Sequence, residues 1–257
     1  MSALELGGGF AAGLAAGILS GVFGIGGGIV LVPFLALLLG LTQHDAQGVT
    51  LLVLTLPIGL PAVLAYRRHT PIRWRLVSAL VVGFLVGVAG GARGANWIPD
   101  SPLRLLFILF LVLVGLQGWF ARAEVPTGEG AGAPVHSWHG LWIGAAAGAL
   151  SGLLGIGGGI VMVPLLIHVV GLERLDAQGA SLAAMLPPIG LPGVLVYASA
   201  QGGLPWGLAS AVVSGFVAGA SAGASLATKM SGRHLGRAFS LFVLCIAAAL
   251  GWGMLSS

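Results

Sequence analysis

Residues 24–66 of this chain return 131 positions later as residues 155–197, and 25 of the 43 aligned positions are identical. The shared blocks include Gly24-Ile25-Gly26-Gly27-Gly28 with Gly155-Ile156-Gly157-Gly158-Gly159, and Pro33 with Pro164. They also include Asp45-Ala46-Gln47-Gly48 with Asp176-Ala177-Gln178-Gly179, and Pro57-Ile58-Gly59-Leu60-Pro61 with Pro188-Ile189-Gly190-Leu191-Pro192. Past Tyr197 the offset becomes 132, which sets Trp74 against Trp206. A period this long marks two duplicated halves, not a short-repeat solenoid.

Each copy lies in an uncharged apolar stretch. With 57% hydrophobic and 7% charged residues in 257, the chain has too few polar side chains to cover a water-exposed surface. Several stretches reach the roughly 20 residues that a helix needs to cross a hydrocarbon core about 30 Å thick. An all-α, polytopic membrane protein is therefore expected, with the lipid bilayer as its surroundings. The formal charge of +4 does not mark a nucleic-acid partner, because the basic residues sit in short loops between apolar stretches. The single cysteine, Cys245, excludes an intramolecular disulfide and a multi-thiolate metal site. The start carries Glu5 and no Lys or Arg before its first apolar stretch, so it reads as a membrane segment rather than a cleaved signal.

Residues 10–40 carry no charge. As one helix they would be about 46 Å long, well beyond the hydrocarbon thickness. A break is expected at the five-residue glycine block, because glycine in a helix costs about 1 kcal/mol and frees the backbone to turn. The same holds for residues 140–171. Three further apolar segments follow in each half, near 46–66, 76–95 and 103–120, and near 177–198, 205–227 and 235–255. Residues 121–139 hold Glu124, Pro126, Gly128, Glu129, Gly130, Gly132 and Pro134, a linker composition. The chain thus divides into a first transmembrane repeat (1–121), a linker (122–138) and a second repeat (139–257).

Charge placement tests the break. With unbroken helices, Arg67, Arg68, Arg73, Arg75 and Arg122 would face one side, and Arg93, Arg104, Arg174, Lys229, Arg233 and Arg237 the other, which is no bias. If each glycine block turns the chain, Arg174, Lys229, Arg233 and Arg237 join the first group and only Arg93 and Arg104 remain opposite. That asymmetry fits the positive-inside rule and makes the two halves inverted repeats. Loops 67–75 and 228–237 then face the cytoplasm. Whether the arms of each block span the bilayer or re-enter is left open by this counting.

Broken backbone inside a membrane is tolerated where protein or a watery cavity satisfies it. The two blocks therefore predict a shared interior site formed by Gly24, Gly26, Gly27 and Gly28 with Gly155, Gly157, Gly158 and Gly159. Helices starting near Ile29 and Ile160 would aim N–H groups and positive dipole ends at it, an anion-binding geometry. The competing reading is tight helix packing. Ser20, Ser151, Thr50 and Ser181 are candidate hydroxyl donors, although such hydroxyls often bond their own helix. Asp45 and Asp176 are the acidic residues kept in register; each is read as a helix N-cap, or as a proton-coupling carboxylate at the site's mouth. Gln47 and Gln178 would close a helix start or offer amides to a substrate. Pro57, Pro61, Pro188 and Pro192 would kink an apolar helix, as hinges or as static bends. His136 and His139 have metal-compatible spacing but no carboxylate or thiolate companions, and His168 stands opposite Leu37 in the repeat. No metal, no cofactor and no catalytic cluster is expected, so the chain does not read as an enzyme. Gly83, Gly87 and Gly91 read as a helix-packing stripe.

The repeated Ser-Gly-x-x-Gly-Ile-Gly-Gly-Gly at Ser20 and Ser151, the proline five residues later, Asp-Ala at the next helix start and a basic loop after the second segment resemble the sulfite exporter TauE/SafE family, also called the toluene-sulfonate uptake permeases. The resemblance covers essentially the whole chain. It implies an inner-membrane secondary transporter, an exporter of sulfite, sulfoacetate or related sulfonates, driven by the proton gradient. Its substrate would be a small oxyanion held near the midplane by Gly26–Gly28 and Gly157–Gly159 while inverted halves alternate in access. Transport of a carboxylate or of a metal cation is the alternative.

Overall fold

The computed structural model describes residues 3–23, 27–57, 60, 63, 73–120, 137–200, 202–227 and 232–255. Gly24, Gly26, Pro61, residues 67–72 and 228–231 of the two basic loops, and linker residues 121–136 with His136 lie outside the described residues. The described residues form helices and no strand. In the first half these are α1 (Ala3–Phe23), α2 (Gly28–Leu39), α3 (Gln43–Val53), α4 (Trp74–Asn96) and α5 (Asp100–Phe120). In the second they are α6 (Ser137–Leu154), α7 (Gly159–His168), α8 (Arg174–Ala184), α9 (Leu191–Ala200), α10 (Trp206–Ala227) and α11 (Gly232–Leu255).

Among the described residues, five stretches are long and apolar enough to cross a membrane: Glu5–Phe23, Trp74–Asn96, Asp100–Phe120, Trp206–Gly223 and Arg237–Met254. Exposed tryptophans stand at both ends of α4, Trp74 and Trp97, about 34 Å apart at 1.5 Å per residue. That is the separation expected of two aromatic belts. By contrast, α2 has 12 residues and α7 has 10, about 18 and 15 Å, half of what a crossing needs. The helical arms around each glycine block are therefore unequal, one long and one short.

Two seams of glycine lock the halves together. On α1 and α10, a Cβ added at Gly13 would fall 2.2 Å from the Val212 carbonyl oxygen, and one at Gly17 2.3 Å from that of Phe216. In return, Gly215, Gly219 and Gly223 meet the carbonyls of Phe10, Leu14 and Ile18 at 2.1–2.2 Å. A Cβ added at Gly83, Gly87 or Gly91 on α4 would likewise fall 2.0–2.2 Å from the carbonyl oxygens of Leu141, Ala145 and Ala149 of α6, answered by Gly144, Gly148 and Gly152. Lipid tails are as apolar as leucine, so helices in a bilayer associate through such close backbone approach rather than through burial from water.

Each seam joins a first-half helix to a second-half helix, and exchanging the halves turns one seam into the other. The same exchange carries the contact of α4 with α8 into that of α10 with α3, and α1 on α2 into α6 on α7. The last pair, α5 with α11, maps onto itself.

The segment expected as one kinked helix over 177–198 is in fact two helices, α8 and α9, separated by residues 185–190. Pro187 and Pro188 are adjacent there, which removes two N–H donors and pushes the preceding residues out of helical geometry. Gly190 then presses on α3, where a Cβ would lie 2.1 Å from the Leu51 carbonyl oxygen. The equivalent first-half segment likewise stops being helical at Val53. Both breaks close with the same turn, Leu60 N–H to Pro57 O and Leu191 N–H to Pro188 O, each at 3.1 Å.

Candidate functional site

The short helices α2 and α7 begin alike. Their first bonds to the N-cap carbonyl are Leu31 N–H to Gly27 O at 2.9 Å in α2, and Val161 N–H and Met162 N–H to Gly158 O at 3.1 and 2.8 Å in α7. Both N-cap positions are glycines, so no side chain bonds the helix start. The N–H groups of Gly28 and Ile29, and of Gly159 and Ile160, lie ahead of any intrahelical acceptor, and the dipole leaves each end partly positive. Serine, threonine or aspartate would ordinarily stand at such a position.

The start of α2 meets the glycine block that precedes α7. A Cβ on Gly28 would fall 2.2 Å from the Gly155 carbonyl oxygen and 2.4 Å from the Ile156 carbonyl carbon, so the α2 terminus lies directly against the second glycine block. That block has φ of +71° at Gly155 and +78° at Gly157, conformations open to glycine. Ile156 is not in this left-handed region, and Gly158 has φ of −75°. Alternation of handedness in successive residues is how a backbone turns its N–H groups into an anion-binding nest.

Around this junction stand buried polar side chains. Gln47 of α3 is fully buried and runs beside Gly155, whose Cβ position is 3.0 Å from Gln47 Cγ. Its Oε1 accepts from the Tyr197 hydroxyl at 2.6 Å, while Nε2 has no partner. The Tyr197 hydroxyl also lies 2.9 Å from the Gly152 carbonyl oxygen, so α3, α6 and α9 converge on one phenol. Ser151, one turn before the block, is fully buried with no partner for its Oγ. Ser181 is buried beside Gly159.

Other residues expected at the site have different engagements. The Thr50 hydroxyl donates to Ala46 O of its own helix at 2.7 Å, the self-bonding that buried helical threonines favour. Ser20 is buried and Gln178 half-buried, and each makes an interaction of its own. Asp45 is not an N-cap: Thr42 holds that position, accepting the Asp45 N–H at 3.1 Å and donating to its carboxylate at 2.9 Å. Asp45 is the third helical residue, the reciprocal partner in a capping box. Asp176 occupies the same place in α8, behind Glu173, whose side chain makes no cap bond. Pro57 and Pro188 are exposed and Pro192 is half-buried.

The sequence reading missed Tyr197, Phe84 and Phe216. Phe216 covers Gly27, whose Cβ would sit 2.3 Å from its ring, and Phe84 covers Gly158 at the same distance. Each half thus roofs the other's helix start. Their signal was present, since Gly83-Phe84 aligns with Gly215-Phe216 at the offset of 132.

The family model described as Sulfite exporter TauE/SafE matches residues 9–250. A probable membrane transporter protein of Xylella fastidiosa strain 9a5c is 31% identical over 256 residues, covering 97% of this chain and 94% of its own. One from strain Temecula1 is 31% identical over 187 residues, 71% of this chain and 69% of its own. The probable membrane transporter protein YunE of Bacillus subtilis is 30% identical over 60% of this chain and 64% of its own. No solved structure matches the chain.

Proposed function

The chain belongs to the sulfite exporter TauE/SafE family, and from that premise we propose that it is a proton-coupled secondary transporter that exports sulfite or a small organosulfonate across the inner membrane. The observation that carries this reading is the packing of the glycine-capped start of α2 against the glycine block ahead of α7, beside buried donors without partners, Gln47 Nε2 and Ser151 Oγ. Taking an anion out of water costs several kcal/mol. Hydrogen bonds to a charged group return about 1.5–3 kcal/mol each, so three or four such donors offset that cost without a buried lysine or arginine.

In this mechanism the anion is held by backbone N–H groups of the two glycine blocks, with Gln47 and Ser151 orienting it. The two halves are inverted, as the charge asymmetry of their loops supports, and they rock about the junction to open each side in turn. The breaks at Pro57 and Pro188 absorb the motion. Asp45 and Asp176, half-buried at equivalent places, are the candidates for carrying the coupled proton.

Flux into and out of proteoliposomes tests this, with sulfite, sulfoacetate, thiosulfate, sulfate and acetate, with and without an imposed pH gradient. Gradient-stimulated sulfite or sulfonate flux, reduced in Asp176→Asn, is the expected result. Acetate flux alone would assign a carboxylate substrate. Movement of divalent cations with no anion flux would overturn the reading.

A further inference from the structure

A polar cavity lies at the far end of α2 from the glycine junction. It has a volume of about 150 Å³ and is lined by Ala36, Leu41, Gln43, Asp100, Ser101, Arg104 and Met254. At roughly 30 Å³ per water, that is space for about five waters, or for a small oxyanion with some of its hydration shell.

The unsatisfied groups here are specific. Gln43 is 3% exposed, and neither its Nε2 nor its Oε1 has a partner. Arg104 Nε is buried and likewise without a partner. A buried amide left unpaired costs about 1–3 kcal/mol, so the cavity calls for a polar occupant, water or a ligand that replaces it. The one carboxylate in the wall is committed elsewhere. Asp100 Oδ1 is bonded to His44 Nδ1, and its Oδ2 accepts the Gln43 backbone N–H at 3.1 Å. The second ring nitrogen of His44 faces the Ala95 carbonyl oxygen at 3.1 Å. Asp100 keeps its charge opposite that of Arg104, and what the wall offers an anion is the unpartnered donors Arg104 Nε and Gln43 Nε2.

The cavity is connected to the junction by one face of α3. Gln43 and Gln47 are four residues apart and lie one above the other on that helix, about 6 Å along its axis. Both are buried amides with an unpartnered Nε2, the first in the cavity wall and the second against Gly155. The repeat does not supply this feature twice, because Arg174 stands where Gln43 would recur and Leu175 where His44 would.

We propose that the Gln43–Ser101–Arg104 cavity is a capture subsite for a small oxyanion, which Gln43 passes to Gln47 at the glycine junction. This rests on the anion-transport reading above. By the same charge asymmetry it lies at the extracytoplasmic mouth.

The test is equilibrium binding of radiolabelled sulfite to the purified full-length protein, together with flux in proteoliposomes, for Arg104→Gln, Arg104→Lys and Gln43→Glu. The subsite requires that Arg104→Gln and Gln43→Glu each weaken sulfite binding at least tenfold. It also requires that they raise the half-saturating concentration on the extracytoplasmic side while the maximal rate changes less than threefold, and that Arg104→Lys restore part of the loss. Size-exclusion profiles establish that each variant is folded; if Arg104→Gln is not, Gln43→Glu, which keeps size and shape, decides. Unchanged binding and half-saturation in folded variants overturn the subsite and leave transport standing. If the parent protein moves no oxyanion, the transport reading fails, and the subsite stands only if sulfite binding still depends on Arg104.

Discussion

The corner between α2 and α3 and its repeat between α7 and α8 share a backbone and differ in nearly every polar side chain. Both turn through a left-handed glycine, Gly40 at φ +64° and Gly171 at φ +73°. Both return a bond to the helix just ended, Leu41 N–H to Leu35 O and Leu172 N–H to Leu166 O. Yet Thr42, Gln43 and His44 of the first become Glu173, Arg174 and Leu175 of the second. The first is capped and pinned to α5 through His44 and Asp100, while the second has no side-chain cap. A transporter of two interchangeable halves would look the same from either side. In the proposed cycle of inverted halves, a difference between the two mouths would reside where the halves diverge, and these corners are such a place.

The frame that the halves share should be the least tolerant of change. Gly13→Leu in one seam and Gly144→Leu in the other each place a side chain where a Cβ alone would lie 2.2 Å from a backbone oxygen, and neither helix can yield locally. Both should abolish recovery of monodisperse protein in fluorescence-detected size exclusion, to the same extent. A folded, active Gly144→Leu protein beside a lost Gly13→Leu protein would break the equivalence of the seams.

Next in size come the bonds that only one half makes. His44→Leu copies the second corner into the first and leaves Asp100 Oδ1 without its partner. Asp100 is 43% exposed on its side chain, so water recovers part of the loss, and about 1–2 kcal/mol of stability is expected to go. Thermal unfolding in detergent reads this. The reverse change, Leu175→His, should gain nothing. Tyr197→Phe, at the junction, leaves Gln47 Oε1 unbonded and should cost about 1–2 kcal/mol, with slower flux because the amide is no longer held against the glycine block.

The sequence made some of this legible and hid the rest for identifiable reasons. Four glycines in five residues, set in a stretch too long for one crossing, marked where α6 gives way to α7. The spacing of Gly83, Gly87 and Gly91 marked one face of a seam, but the equally regular Gly9, Gly13 and Gly17 went unread, and nothing local names a stripe's partner. Tyr197 and Gln47 lie 150 residues apart, and His44 and Asp100 lie 56 apart. Comparison of the two halves brings forward what they share, so it found the glycine blocks and passed over His44, Gln43 and Arg104, where they differ. The double proline at 187–188 was hidden in the same way, because Leu56 stands opposite Pro187 in the first half.

The smallest effect separates the corners most cleanly. Thr42→Ala removes both bonds of the capping box, Asp45 N–H to the hydroxyl and the hydroxyl to the Asp45 carboxylate, and should cost about 1 kcal/mol. Glu173→Ala should change stability by less than about 0.5 kcal/mol, because Glu173 makes no cap bond to lose. Glu173→Thr should then gain up to about 1 kcal/mol, since Asp176 already stands at the third helical position, where Asp45 completes the box in the first half. Unfolding midpoints of the three variants in one detergent decide it. Equal losses from Thr42→Ala and Glu173→Ala would mean that the turns themselves hold both corners. The divergence of their side chains would then have no part in holding either corner.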